Sequence, residues 1–252
     1  MRRIAVRTKI EDTTASHDTT SVVEDAAYPH YIVADDQATA EPMLSAAFHE
    51  RNLSHLIGRR TGQGVWPDDP EDKEAVRLFE LGQKALYEDK DAAAAICAYE
   101  SALARDEGYI KAWVALTIAY ISDNTTESLR QAEDTLESLS ALPISDWLTG
   151  QVSSIIFQNL AYLHVHYYRQ GRGRTHLAEA DRRYAVADER SAGRERIELI
   201  CPWAFVKMEL GQTDAARTLW ERAEVYSALH GTPQILKDYA GKYAPLRTFL
   251  HP

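Results

Sequence analysis

Large and small apolar residues alternate along residues 74–226 in a comb that only paired helices can bury. Leu78, Leu81 and Gly82 are followed by Ala95 and Tyr99. Trp113, Leu116 and Tyr120 come next, followed by Ala132 and Leu136. Leu160, Leu163 and Tyr167 precede Ala180 and Tyr184, and Ile200, Trp203 and Ala204 precede Ala216 and Trp220. Each set reads as two amphipathic helices, the first opened by large residues three apart and the second by a small residue with a large one four later. Such a pair cannot bury its apolar faces alone. Consecutive pairs are therefore expected to stack into an all-α, right-handed solenoid of helical hairpins.

Local signals divide the chain into helices. Asp72 and Glu74 mark the start of a helix to about Glu88, and Asp91 is an N-cap for a second through Ala104. A third runs from Tyr109 to Ile121, and Asp123-Asn124-Thr125 opens a fourth to Leu142. Pro143 stops it, and Ser145 or Asp146 caps a long fifth helix to Gln170. Gly171 and Gly173 break the chain before a sixth helix at Thr175–Ser191. A seventh spans Arg194–Leu210 with Pro202 inside it, and an eighth runs to Leu229. A ninth, Pro233 to about Ala244, is expected to shield the last pair from water as a C-terminal cap.

The preceding residues have a different character. Residues 1–72 read as a flexible N-terminal region, because Thr13–Ser21 has too little apolar surface to offset its ordering entropy. Within it Met43, Leu44, Ala47, Phe48, Leu53, Leu56 and Ile57 form a ragged helical stripe, a candidate short helix over 43–57. Gly58 to Pro70 then reads as linker, so the solenoid is placed at 73–252. Gly58–Gly64 lacks the Lys-Ser/Thr ending of a phosphate loop.

Bulk chemistry narrows the function classes. No apolar run approaches the ~18 residues of a membrane span. The basic start is interrupted by Glu11 and Asp12 before any apolar core, which argues against a secretory signal. Cys97 and Cys201 fall in helices and are expected to be reduced, so the cytoplasm is the expected location. The formal net charge is −10. An acidic chain lacks the basic footprint that duplex binding needs, which argues against nucleic acid as main partner.

The Tyr109–Ile121 stretch and the Gly211–Tyr226 stretch carry, respectively, the first and second halves of a Trp-Leu-Gly-Tyr…Ala-Phe signature. On these residues the chain resembles the tetratricopeptide repeat family, whose repeat is 34 residues long. The anchors Leu78, Trp113, Leu160 and Ile200 are 35, 47 and 40 residues apart, so loops or helices have grown between about four repeats. The resemblance implies that the first helix of each pair lines a concave groove. Carried over position by position, the groove residues are Phe79 and Gln83, Val114 and Ile118, Ala161 and Val165, and Cys201 and Phe205. Family members that clamp acidic chaperone tails use Lys, Asn and Arg there. Here Phe79 and Gln83 replace the first Lys and Asn, and Ala115 replaces the second Asn, so an apolar groove suited to an amphipathic helix is expected instead.

Other constellations point less far. His164 and His166 are two apart and diverge by about 200° on a helix, so they cannot easily bind one ion, while His176 lies beyond the glycine break and could approach either. They are read as packing or surface histidines, and no metal or other cofactor is expected. Arg169, Arg172, Arg174, Arg182 and Arg183 form the basic cluster, either a patch for an acidic or nucleic-acid partner or a solvated face balanced by Glu179 and Asp181. No nucleophile motif or paired acid–base constellation stands out, so no catalytic residue is assigned and the chain is read as a non-enzyme. The reading is a protein-binding adaptor, scaffold or assembly factor holding a peptide or helix. A ligand- or peptide-sensing regulator and a nucleic-acid-associated repeat using the 169–183 arginines are the alternatives.

Overall fold

A computed structural model describes residues 69–142, 150–191 and 196–249. These residues are helical, with no strand among them. The candidate helix at 43–57, the linker before it reaches Asp69, and the stop and cap at Pro143, Ser145 and Asp146 lie outside the described residues. What is described falls into two compact units, 69–142 and 150–249.

The first unit contains α1 (Lys73–Tyr87), α2 (Ala92–Arg105), α3 (Ile110–Asp123) and α4 (Thr126–Ser140). Three of the four starts are capped by a side chain. The Asp72 carboxylate accepts from the Glu74 and Ala75 amides at 2.9 and 3.3 Å, and that of Asp91 accepts from the Ala94 amide at 2.9 Å. Thr125 Oγ1 accepts from the Ser128 amide at 3.1 Å. Each satisfies an amide that a helix start otherwise leaves unpaired. Consecutive helices pack on one another in order.

α1 and α2 approach so closely that a Cβ placed on Gly82 would lie 2.5 Å from a Tyr99 ring carbon. Tyr99 is fully buried, and its ring meets that of Phe79 at 5.7 Å. Glycine at 82 is thus what lets the two helices touch. Trp113 is fully buried, with its indole N–H donating to the Glu107 carbonyl at 2.8 Å. Tyr120 donates its hydroxyl to the buried Glu100 carboxylate at 2.7 Å.

The second unit contains α5 (Gly150–Arg169), α6 (Thr175–Arg190), α7 (Ile197–Glu209), α8 (Thr213–His230) and α9 (Pro233–Lys242), then a 3-10 turn at Ala244–Phe249. α5 pairs with α6 and α7 with α8, while α9 and the turn pack on α7 and α8. Tightly spaced Gly171 and Gly173, both at positive φ, allow the reversal between α5 and α6. The comb residues Leu160, Leu163, Tyr184, Ile200, Ala216 and Trp220 are buried. Trp203 is half-buried, because its indole N–H reaches out to the Asp181 carboxylate at 2.7 Å.

Unlike α1 or α3, α5 buries a row of polar side chains: Ser153, Ser154, Gln158, Asn159 and His164. Ser154 donates to the Ala187 carbonyl at 2.6 Å and accepts from the buried Arg196 guanidinium at 2.5 Å. Arg190 donates to Ser153 and lies over the Phe157 ring, 4.5 Å from its centroid. A second tie runs from α8 to α6, where Arg222 grips Asp188 through both terminal nitrogens at 2.8 and 3.3 Å.

Candidate functional site

The residues expected to line a groove are mostly interior. In the first unit Phe79, Gln83 and Val114 are buried, and only Ile118 keeps partial access to solvent. Phe79 is wedged between aromatic rings, with the Tyr109 centroid 5.0 Å away. Gln83 stands out chemically, since its Oε1 is buried with no hydrogen-bond donor. Leaving such an acceptor unmet costs roughly 1–3 kcal/mol.

In the second unit Ala161, Val165 and Cys201 are buried, and Phe205 is 6 % exposed. Phe205 is covered by the chain itself. Its ring stacks on that of Tyr243 with centroids 4.6 Å apart and planes 25° from parallel. Tyr239 and Tyr243 stack on each other one helical turn apart at 6.3 Å. Two cations attend this cluster: the Arg169 guanidinium carbon lies 5.7 Å from the Tyr243 centroid and Lys242 Nζ 5.6 Å from it. Lys242 also lies 5.0 Å from the centroid of Tyr162 on α5. Burial raises the Tyr243 phenol well above its ordinary pKa, as it does the Cys201 thiol, so both are neutral. A neutral, buried thiol is unreactive.

Sequence reasoning placed a cap at 233–244 but did not single out Tyr239, Lys242 or Tyr243. The signal is there. Leu236, Ala240 and Tyr243 are spaced i, i+4, i+7, and all three are buried.

The arginines do not converge on one point. Arg182 and Arg183 both pair with Glu179 on their own helix. Arg172 lies flat over the Tyr167 ring at 4.4 Å, and Arg174 donates to the Glu209 carbonyl at 2.6 Å. Arg169 is committed to Tyr243 as described. The Glu209 side-chain carboxylate separately accepts from the Tyr168 hydroxyl at 2.5 Å, which raises the Tyr168 pKa.

His166 meets Gln170 at 3.1 Å, while the glycine turn brings His176 onto His164. Their Nδ1 atoms are 3.1 Å apart and the rings stack with centroids at 5.4 Å. One Nδ1 must donate and the other accept, so at least one of the two rings is neutral. Burial of His164 pushes its pKa down to about 4; Glu179 opposes that shift, while His176, Arg183 and Arg182 reinforce it. Among the described residues no group of three or more His, Cys, Asp or Glu side chains is placed to hold a metal ion. Nor is any described helix long and apolar enough to cross a membrane.

Comparison with protein-family models, curated proteins and solved structures finds no match to this chain. The geometry of its own faces is therefore what a functional reading has to stand on.

Proposed function

We propose that this chain is a non-catalytic protein-binding module of the tetratricopeptide type, acting as an adaptor, scaffold or assembly factor. Its partner is a peptide or amphipathic helix held on the first-helix faces. The observation that carries the reading is the seat of α9. A residue assigned to the groove from sequence, Phe205, carries an amphipathic helix on it, with Tyr243 stacked at 4.6 Å. A face that accepts one helix through i, i+4, i+7 anchors has the chemistry of helix-in-groove recognition. The right-handed solenoid of about four repeats, closed by α9 as a cap, is part of the same proposal. Its setting is the cytoplasm, in keeping with Cys97 and Cys201 lying within helices α2 and α7.

Ile118 supplies the test, being the groove position with partial exposure and hence the one that tolerates a charge. Proteins captured from the native host by the wild-type chain are identified and then titrated against purified variants. Ile118→Asp is expected to weaken the captured partner at least tenfold, with Arg182→Asp neutral. If Ile118→Asp binds as wild type does, the groove reading fails. Loss confined to Arg182→Asp points instead to recognition by the basic cluster.

A further inference from the structure

The C-terminal segment is fastened to the rest of its unit in an unusual way. Past the Thr232 amide, which donates to the Ser227 carbonyl, its polar contacts are internal: Gln234 to Asp238, Arg247 to the carbonyls of Ala240 and Gly241, and Thr248 to that of Pro245. No hydrogen bond or ion pair joins 233–249 to α5–α8 among the described residues. What holds it is apolar burial of Leu236, Ala240, Tyr243, Leu246 and Phe249, together with ring contacts. Phe205 meets Tyr243, Trp220 meets Phe249 at 5.9 Å, and Arg217 lies over Phe249 at 5.5 Å. The Tyr243 hydroxyl is buried without a partner, a cost carried by the closed state.

Two cations also meet the tyrosine of this segment. Arg169 and Lys242 approach the same tyrosine ring, both are exposed, and neither has a carboxylate within ion-pairing distance among the described residues. The segment thus meets Arg169 with an aromatic ring and a lysine but with no carboxylate. A helix with the same aromatic anchor and a carboxylate beside it would add a charge-assisted bond to Arg169.

We propose that the α5–α7 face under Tyr243 is a binding surface for an amphipathic helix bearing an aromatic anchor with an adjacent carboxylate, and that residues 233–249 occupy it until such a helix displaces them. This rests on the helix-in-groove reading and adds to it the partner's chemistry and a built-in competitor. Gly231, at φ +67° after α8, is the joint about which the segment leaves. Because the competitor is tethered, its effective concentration is in the millimolar range, so a weak contact suffices to mask the face.

The probe is a labelled peptide of residues 231–252 with Lys242→Glu, titrated by fluorescence anisotropy against the full-length chain. It should bind the Tyr243→Ala protein at least tenfold more tightly than wild type, and more tightly than the unsubstituted peptide does. Adding Arg169→Ala to that protein should erase the difference between the peptides. Equal affinity for wild type and Tyr243→Ala, or equal affinity of the two peptides, overturns the proposal. Hydrogen exchange on the wild type gives an answer even if Tyr243→Ala does not fold. Amides of α9 should exchange well before those of α5 and α7; simultaneous exchange makes the segment a structural cap and also overturns it. The two readings part cleanly. If α9 does not open, or opens and neither peptide binds, but a captured partner still needs Ile118, only this inference falls; if Ile118→Asp also binds that partner as wild type does, the groove reading falls with it.

Discussion

The two units solve the burial of a helical hairpin differently. At the α1–α2 seam of the first, shape decides: Gly82 makes room for a fully buried Tyr99 ring, which in turn packs on Phe79. At the α5–α6 seam of the second, polar matching decides: Ser154 and His164 on α5 find the Ala187 carbonyl and the His176 ring on α6. A seam set by shape is sensitive to volume and indifferent to pH. A seam set by polar partners is sensitive to protonation. The same chain therefore carries two kinds of vulnerability, which residue-resolved hydrogen exchange can read separately.

The largest expected effect treats both units alike and calibrates the rest. Trp113→Ala and Trp220→Ala should each cost about 3–5 kcal/mol in denaturant unfolding, as truncation of buried aromatics does. Acidification should then separate the units. Burial lowers the folded-state pKa of His164 to about 4 from its ordinary 6.5. Between those pH values the unfolded chain binds the proton that the folded chain refuses. Stability is therefore complete above about pH 6.5 and falls as the pH drops toward 4, by up to about 3 kcal/mol. The loss should appear in α5–α6 amides, and His164→Leu should flatten it. Equal acid loss in α1–α2 would break the comparison.

Gly82→Ala tests the other side. It should destabilise the first unit by about 1–3 kcal/mol through overpacking against a ring that cannot move, with the same penalty at pH 7 and pH 5. A neutral outcome would mean that the seam yields and that shape does not define it. The smallest effect is expected at Arg172→Ala, which removes an exposed guanidinium from the Tyr167 ring and should cost about 0.5 kcal/mol.

Helix positions were legible because their causes are local. Asp72, Asp91 and Thr125 cap from within three residues, and the helix ends follow to within a residue or two. Apolar periodicity likewise located the buried comb. What could not be read was which face a helix shows to the next element. Phe205 looks like a groove residue from its register, and only the fold reveals Tyr243 on top of it. His164 and His176 are twelve residues apart, and nothing in either helix alone says that the glycine turn will make them neighbours. Gln83 is similar: its register put it on the groove wall, yet its amide oxygen is interior.

Temperature gives the fastening of α9 a further meaning. Contacts made of apolar and aromatic surface draw their strength near room temperature from water entropy, and they weaken on cooling. Hydrogen bonds would have anchored the segment with the opposite trend, and none spans that junction among the described residues. The open form of the C-terminal segment should therefore be more populated on ice than at 37 °C, while the α1–α4 unit and its capped helix starts stay closed.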